Sequence, residues 1–362
     1  MAEHIAANAR IEAAVLNDYL RAKVEPIFRK SALMGLLKSK GRITFGHTGK
    51  AMEWRPRYRR REIVATDGNP VSIDFPNYNL WKKAELPWRS YAMGASVNKY
   101  EKLVSANSKN AFFNLATEIV DTMAEDFVED FRFKLYVDGG VAGSKDLHGL
   151  ESCMSVSGII SGGRVGNPND TYAGISTVLG YYGGDWTADA GDSWPTGTGD
   201  VEYHFWTPTP VVDYTNAEFA GATNTWSANW QKAIRYAITY GGILQDQDFD
   251  VILLHPELLR QAKDTLEGKQ TLEVTQQSSL VKLGFSTLQF EGHELVTEYG
   301  VPSGVGYLLR PEKLELCSLQ KQLVSRDSDR DITTMQDLHA CEFYGNLKIE
   351  APSFFAKLQA IS

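Results

Sequence analysis

Apolar residues recur every three or four positions across residues 108–137, the longest regular pattern in the chain. This spacing places them on one face of an α-helix. Acidic residues fill much of the opposite face, among them Glu118, Asp121, Glu125 and Glu129. About 30 residues at 1.5 Å rise give a rod of roughly 45 Å, well beyond the average helix of a globular protein. We therefore expect a long acidic helix, called the spine helix below, with an architectural role.

A second helical pattern covers residues 9–37, where two series of apolar residues repeat every four positions. Pro26 removes a backbone donor, so it should break or kink this segment. Charged residues separate the apolar ones. We expect residues 1–40 to form an arm that lies on a surface, either its own or that of a neighbour.

Residues 41–97 show a different pattern, with short runs of β-branched and aromatic residues separated by turn signals. The pattern predicts a long, two-stranded extended loop. An isolated hairpin is marginally stable in water, so this loop should pack against something else. Its first strand contains the sequence WRPRYRRRE, which places an arginine at every second position: Arg55, Arg57, Arg59 and Arg61.

These four arginines, called the arginine ladder below, share one face of an extended strand because side chains alternate with period two. The ladder cannot be buried alone, since unpaired charges are costly to desolvate. Nucleic acid, an acidic protein surface or water must face it. The choice among these largely decides the function.

The second half of the chain alternates strands and helices. Residues 165–229 contain eight Asp and Glu but no Lys or Arg, which indicates β-structure with long surface loops. A helix is expected at about 226–240, ended by a pair of glycines. Residues 250–254 predict a buried strand, and Pro256 then opens another helix. Short strands and turns follow to the C-terminus.

Composition narrows the function classes. Hydrophobic residues make up 43% and charged residues 23%, as is usual for a soluble globular protein. The net charge is −8, but residues 1–61 carry +9 and the remainder −17. A basic N-terminal part could therefore pair with the acidic body of another copy. No signal-peptide pattern and no apolar run of 18 residues is present, so neither secretion by that route nor membrane spanning is expected.

Motifs for chemistry are weak. The glycine-rich stretch 139–145 follows a helix and lacks the Gly-Lys-Ser/Thr order of a phosphate-binding loop. Three cysteines lie far apart, without a CxxC or Cys/His cluster, so we expect small buried hydrophobic residues rather than a zinc site. The seven histidines are scattered. We predict no catalytic, cofactor-binding or metal-binding residues, and no enzyme.

The order of these elements resembles a major capsid protein of a tailed bacteriophage with the Hong Kong 97-type fold. Residues 108–150 are similar to that family's spine helix and the following glycine-rich turn with its H-G-L. The sequence DFDVILLHPELL at 248–259 is similar to its strand–proline–helix passage. The sequence YGNL at 344–347, with the strands through Ala360, is similar to its closing strands.

The resemblance implies an α+β fold with an N-terminal arm, an extended β-hairpin loop, a peripheral domain with the spine helix, and an axial α/β domain. The implied boundaries are 1–40 for the arm, 41–97 for the extended loop, 98–150 with 245–285 and 325–362 for the peripheral domain, and 151–244 with 286–324 for the axial domain. An insertion over 165–225 is expected, because this tract is larger than a minimal axial domain needs.

The resemblance also implies a function. The protein would self-assemble into pentamers and hexamers of an icosahedral head, formed in the host bacterial cytoplasm, that encloses double-stranded DNA without sequence-specific binding. Its implied partners are a portal protein, a separate scaffolding protein and a decoration protein. The arginine ladder would contact acidic surface on a neighbour, such as the spine helix. The alternatives are an encapsulin-like compartment and, in another class, a nucleic-acid-binding protein that uses Arg55–Arg61.

Overall fold

The computed structural model describes most of the chain in several stretches. They are residues 31–57, 81–100, 109–159, 164–177, 211–216, 224–245, 249–266 and 287–361, with residues 206, 208 and 219. The side chains of 109–121, 240–245 and 326 lie outside this description. No helix among the described residues is both long and apolar enough to span a membrane.

Four α-helices lie within the described residues: α1 Ala32–Ser39, α2 Lys109–Lys134, α3 Trp226–Gln245 and α4 Pro256–Leu266. Strands are short except for two. In chain order they are β1 Ile43–Thr44, β2 Ala51–Trp54, β3 Ala84–Pro87, β4 Arg89–Asn98, β5 Val156–Ile159, β6 Gly166–Pro168, β7 Thr171–Tyr172, β8 Ile175–Ser176, β9 Val211–Asp213, β10 Val251–Leu254, β11 Thr287–Phe290, β12 His293–Thr297, β13 Gly306–Leu309, β14 Leu314–Ser318, β15 Ser325–Asp331, β16 Gln336–Ile349 and β17 Ala356–Gln359.

The first sheet has five strands and is built around β16. The ten-residue strand β4 pairs antiparallel with β16 along one edge, from Gln336 to Gly345. Along the other edge, β15 pairs with residues 336–342 and β14 with residues 345–349. The two-residue strand β1 lies parallel to β14. Strand β16 is thus paired on both sides for most of its length.

The second sheet has six strands in the order β11-β12-β10-β13-β17-β9. Its central strand β10 is buried on both faces. Val251 and Leu253 belong to one apolar core, and Ile252 and Leu254 to another. Burial on both faces explains why this run lacks the apolar–polar alternation of a half-exposed strand. The first core also holds α1, α2 and the first sheet, whereas the second holds α3 and α4.

Helix α2 is the predicted spine helix, and the part of its apolar stripe whose side chains are described packs as the pattern predicts. Phe127 and Phe131 stack on each other with 6.0 Å between ring centroids. Phe131 meets Phe343 of β16 edge-on at 4.8 Å. These contacts attach the helix to the first sheet and set which of its faces points outward.

The predicted arm helix is corrected where the structure describes it. Residues 1–30 lie outside the described residues, and α1 covers only Ala32–Ser39. Its side chains from Ala32 to Leu37 are buried in the protein's own core rather than resting on a surface. The carboxylate of Glu298, itself 1% exposed, accepts hydrogen bonds from the Ser31 hydroxyl at 3.1 Å and the Leu33 amide at 3.3 Å. This segment of the arm is therefore fixed in place.

Helix α3 extends past Gly241 and Gly242, although the sequence pattern predicts that this glycine pair ends it. The helix continues to Gln245. Glycine lowers helix stability by only about 1 kcal/mol per residue relative to alanine, so two glycines do not force an end. The spine helix shows the reverse deviation, since it ends at Lys134, before the glycine pair expected to stop it.

Strand pairing also crosses the predicted domain boundaries. Strand β10 lies in 245–285, which was assigned to the peripheral domain, yet its partners β12 and β13 lie in the axial range 286–324. Strand β14, assigned to the axial domain, pairs with β16 of the peripheral range. Local sequence patterns show where strands are but not which strands pair. The division into two domains stays a prediction, with shifted boundaries.

Candidate functional site

The base of the extended loop is a two-stranded hairpin. Strands β2 and β3 pair antiparallel, and a further bridge joins Arg57 to Trp81. Arg55 and Arg57 are exposed, while Pro56 between them is buried. The period-two arrangement predicted for the arginine ladder is therefore present in its first two members. Arg59 and Arg61 lie outside the described residues.

Trp54, directly before the ladder, attaches the hairpin to the body. Its indole nitrogen donates a hydrogen bond to the Glu350 carbonyl at 2.9 Å. Its ring lies 6.2 Å from that of Tyr172, and the Lys348 ammonium lies 5.7 Å from its centroid. The hairpin strand is held on the Trp54 side, which leaves the arginines on the side that faces solvent.

The outward face of the spine helix is acidic in the part whose side chains are described. Glu125, Asp126, Glu129 and Asp130 are exposed. Arg132, whose side chain is 12% exposed, donates to Glu129 at 3.3 Å. The side chains of Glu118 and Asp121 lie outside the described residues. A line of carboxylates on a rigid helix could receive cationic side chains from another molecule.

The H-G-L turn and the YGNL strand, separate in sequence, meet in the structure. The His148 amide donates to the Asn346 side-chain oxygen at 3.0 Å, and the Asn346 amide nitrogen lies 2.9 Å from His148 Nδ1. The side-chain amide nitrogen of Asn346 also donates to the Pro87 carbonyl at 2.8 Å. Burial, with a smaller effect of the Arg89 charge, lowers the pKa of His148 to about 4. His148 is thus a neutral residue that holds the Asn346 side chain, and Asn346 in turn links β16 to Pro87 of the hairpin.

Three glycines of this region allow close packing of the backbone. A Cβ on Gly139 would lie 2.4 Å from the Leu147 carbonyl oxygen, and one on Gly149 would lie 2.5 Å from that of Leu135. A Cβ on Gly345 would lie 2.3 Å from the Cys317 carbonyl oxygen. Within the glycine-rich stretch, close packing accounts for Gly139 and a φ of 84° accounts for Gly143, so neither position requires a bound phosphate to explain it.

One cluster of potential metal ligands was missed by the sequence analysis. His47, Glu315 and Cys317 each offer one donor atom, and the three atoms lie within 4.8 Å of one another. The Thr44 hydroxyl lies among them, 2.7 Å from His47 Nε2. Burial raises the pKa of the Cys317 thiol to about 11. Burial alone would raise the pKa of Glu315, but the Lys348 ammonium brings it below the usual value.

Nothing in the spacing could have revealed this cluster. Thr44 and Glu315 are 271 positions apart, and only the pairing of β1 with β14 brings the two segments together. A site assembled from distant strands leaves no signature of closely spaced Cys and His residues in the sequence.

The fold resembles those of known proteins, although no family model and no curated protein sequence matches the chain. A chain of the cyanophage A-1(L) capsid asymmetric unit has a TM-score of 0.56 and 18% identity, over 91% of this chain and 92% of that chain. The mature capsid of bacteriophage PhiM1 gives 0.48 and 10%, over 88% and 86%. The SrpI encapsulin of Synechococcus elongatus PCC 7942 gives 0.43 and 11%, over 90% and 88%.

The first of these likenesses shows the fold. Over nine-tenths of its length, this chain has the α+β fold of a phage capsid chain, with few helices and several sheets. The resemblance noted from the order of elements is confirmed at this level.

Proposed function

We propose that this protein is the major capsid protein of a tailed bacteriophage, and that it self-assembles into the pentamers and hexamers of an icosahedral head around double-stranded DNA. The likeness in fold to a phage capsid chain, over 91% of this chain and 92% of that one, carries the proposal. Because one fold can serve several functions, the surfaces must fit the role as well. An exposed basic hairpin and an exposed acidic helix suit contacts between copies.

In this proposal the arginine ladder of one subunit contacts the spine helix of the next. Arg55 and Arg57 are exposed at the root of the hairpin, and Glu125 and Glu129 are exposed on the helix. A single exposed ion pair contributes little, about 0–1 kcal/mol. Repetition on every subunit adds these contributions, and charge complementarity fixes register and partner choice more than affinity.

The domain assignment follows the strand pairing. The arm, the extended loop, and the peripheral and axial domains keep their proposed order along the chain. The hydrogen bonds of β10 favour placing residues 249–266 in the axial domain. Those of β14 favour placing residues 314–318 in the peripheral domain. The insertion over 165–225 stays a proposal, since most of it lies outside the described residues.

The remaining partners belong to the same proposal. The partners we propose are a portal protein at one vertex, a separate scaffolding protein during assembly and a decoration protein. Assembly takes place in the host bacterial cytoplasm, and the mature protein resides in the virion. The contribution of this chain is structural rather than catalytic.

Electron microscopy of the expressed protein tests the proposal. The chain is expressed alone and with a candidate scaffolding protein, fractionated by density, and imaged by negative stain. We expect closed icosahedral shells, and a cryo-EM reconstruction should place the hairpin against the spine helix of a neighbour. A chain that remains monomeric in both preparations would contradict the proposal.

The cargo separates the alternatives. Shells that package DNA in infected cells support the capsid function, whereas shells that enclose only protein cargo indicate an encapsulin-like compartment. Steeply salt-dependent DNA binding in the absence of any particle would favour the nucleic-acid-binding alternative.

A further inference from the structure

We propose that His47, Glu315 and Cys317 bind one Zn²⁺ ion at the root of the extended hairpin. Their nitrogen, oxygen and sulfur donor atoms lie within 4.8 Å of one another. His47 and Glu315 are half-buried and Cys317 is buried. The site needs a single folded chain and no assembly, so it stands or falls independently of the shell function.

The backbone brings the three residues together through strand register. Glu315 and Cys317 are alternate residues of β14, so their side chains share one face of the sheet. Thr44 of β1 pairs directly with Cys317. The chain then turns at Gly46, which has a φ of 74°, and returns His47 to the same edge.

The turn is itself attached to the sheet. The Gly46 amide donates to the Gln320 carbonyl at 3.0 Å, and the His47 amide donates to the Ser318 carbonyl at 3.2 Å. The imidazole lies 6.0 Å from the ring of Trp88, which restricts its position further. The donors are therefore positioned by the fold rather than by a freely moving loop.

The donor set favours zinc over the other common divalent ions. Zn²⁺ accepts thiolate, imidazole and carboxylate ligands in a tetrahedral site, whereas Mg²⁺ and Ca²⁺ require oxygen ligands. The two carboxylate oxygens of Glu315 have different hydrogen-bond partners. Lys348 donates to Oε2 at 3.1 Å, while Oε1 accepts from the Thr44 hydroxyl at 3.0 Å. Lys348 thus orients the carboxylate so that Oε1 faces the other ligands.

The Thr44 hydroxyl contacts all three donors, including Cys317 Sγ at 3.5 Å. An ion at this point needs its ligands at about 2.0–2.3 Å, so the three side chains must close around it by about 1 Å. The hydroxyl then rotates away or supplies the fourth ligand. As the zinc–sulfur bond forms, the Cys317 thiol releases its proton to solvent.

Spectroscopy with Co²⁺ as a probe tests the site in the full chain after treatment with a chelator. We expect one Co²⁺ per chain, a sulfur-to-cobalt charge-transfer absorption band, and displacement of the probe by one equivalent of Zn²⁺. Cys317→Ser should abolish the band. Cys341→Ser is the matched control, because Cys341 is also a buried cysteine of the first sheet outside any disulfide, and it is not one of the three clustered ligands.

A second variant guards against a folding defect in Cys317→Ser. His47 is half-buried in a turn, so His47→Ala should fold normally, which circular dichroism checks. We expect this variant to weaken Zn²⁺ binding at least about tenfold. Loss of a residue that only hydrogen-bonds to a metal ligand lowers metal affinity by about that much, and loss of a ligand should cost no less. Zn²⁺ should raise the melting temperature of the wild type but not of His47→Ala. The proposal would be overturned if the wild type lacked the band. It would also be overturned if Cys317→Ser or His47→Ala gave a band as strong as that of the wild type.

Discussion

Lys357 illustrates how a single residue can determine stability far from any binding surface. Its side chain is 2% exposed, and its ammonium contacts Glu151, which is 27% exposed. Tyr307 pairs with Lys357 across strands β13 and β17 and donates to the other Glu151 oxygen at 2.7 Å. The three residues form a closed polar cluster between the second sheet and the short 3₁₀ helix Leu150–Cys153. An isolated charge could not remain there, because its desolvation would be uncompensated.

Glu151→Gln should lower the free energy of unfolding by about 3 kcal/mol, because it leaves a buried ammonium without its counter-charge. This is the lower end of the cost of breaking a buried ion pair, as Glu151 keeps some contact with water. Urea unfolding of the unassembled chain measures the change. Lys357→Met should cost less, since the remaining carboxylate can hydrate.

The control is Glu257→Gln. Glu257 lies 2.6 Å from Arg260 in an ion pair whose side chains are 49% and 59% exposed. The loss of unfolding free energy at Glu257 should be much smaller than at Glu151, because water screens an exposed ion pair. Equal losses at Glu151 and Glu257 would mean that burial of Lys357 has no energetic consequence.

At the scale of elements, the hairpin and the spine helix should act as one charge-matched pair between subunits. Arg57→Ala with Arg59→Ala should leave the subunit folded but impair particle formation, because the positive side of that contact is removed. Yields of intact particles, with circular dichroism of the subunit, provide the measurement. Arg235→Ala with Arg260→Ala removes the same charge from arginines paired within the chain, and should leave particle yield nearly unchanged.

Charge reversal makes the assignment of the partner specific. Arg57→Glu with Arg59→Glu should abolish particles, and adding Glu125→Arg with Glu129→Arg should restore a measurable fraction. Normal yields from the first pair of changes would show that the ladder is not an assembly contact. Failure of the second pair to restore particles would show that its partner lies elsewhere.

The sequence predicted those elements whose pattern is local. The spine helix, strand β10, and the proline-opened helix α4 follow from period and from the position of proline. The exposure of Arg55 and Arg57 follows from period two. Partner choice did not follow, because it depends on residues hundreds of positions apart. Long-range pairing accounts for three features that the sequence did not reveal. They are the contact of α1 with Glu298, the place of β10 in the second sheet, and the cluster of His47 with Glu315.

For the whole molecule, charge distribution predicts weak binding to DNA. The chain has a net charge of −8, and the 301 residues after the basic N-terminal part carry −17. Like charges repel, so an enclosed duplex should be held by confinement rather than by attraction. Isolated capsomers should show no tight binding to duplex DNA at about 150 mM salt, where charges interact over only about 8 Å. Fluorescence anisotropy with a labelled duplex measures the affinity of the capsomers for DNA. Tight binding would contradict the expectation that the duplex is held by confinement.

The pairing of β4 with β16 has a mechanical consequence for the whole molecule. Strand β4 follows the hairpin strand β3 after one residue, Trp88, and pairs over ten positions with β16. The hydrogen bonds of an antiparallel ladder lie across the strands. Tension applied along β4 from the hairpin therefore loads these bonds in shear, so that they resist together instead of opening one by one. The hairpin is thus joined to the body through a ladder that is loaded along its length. A pull on the tip of the hairpin should extend the hairpin before it detaches β4 from β16.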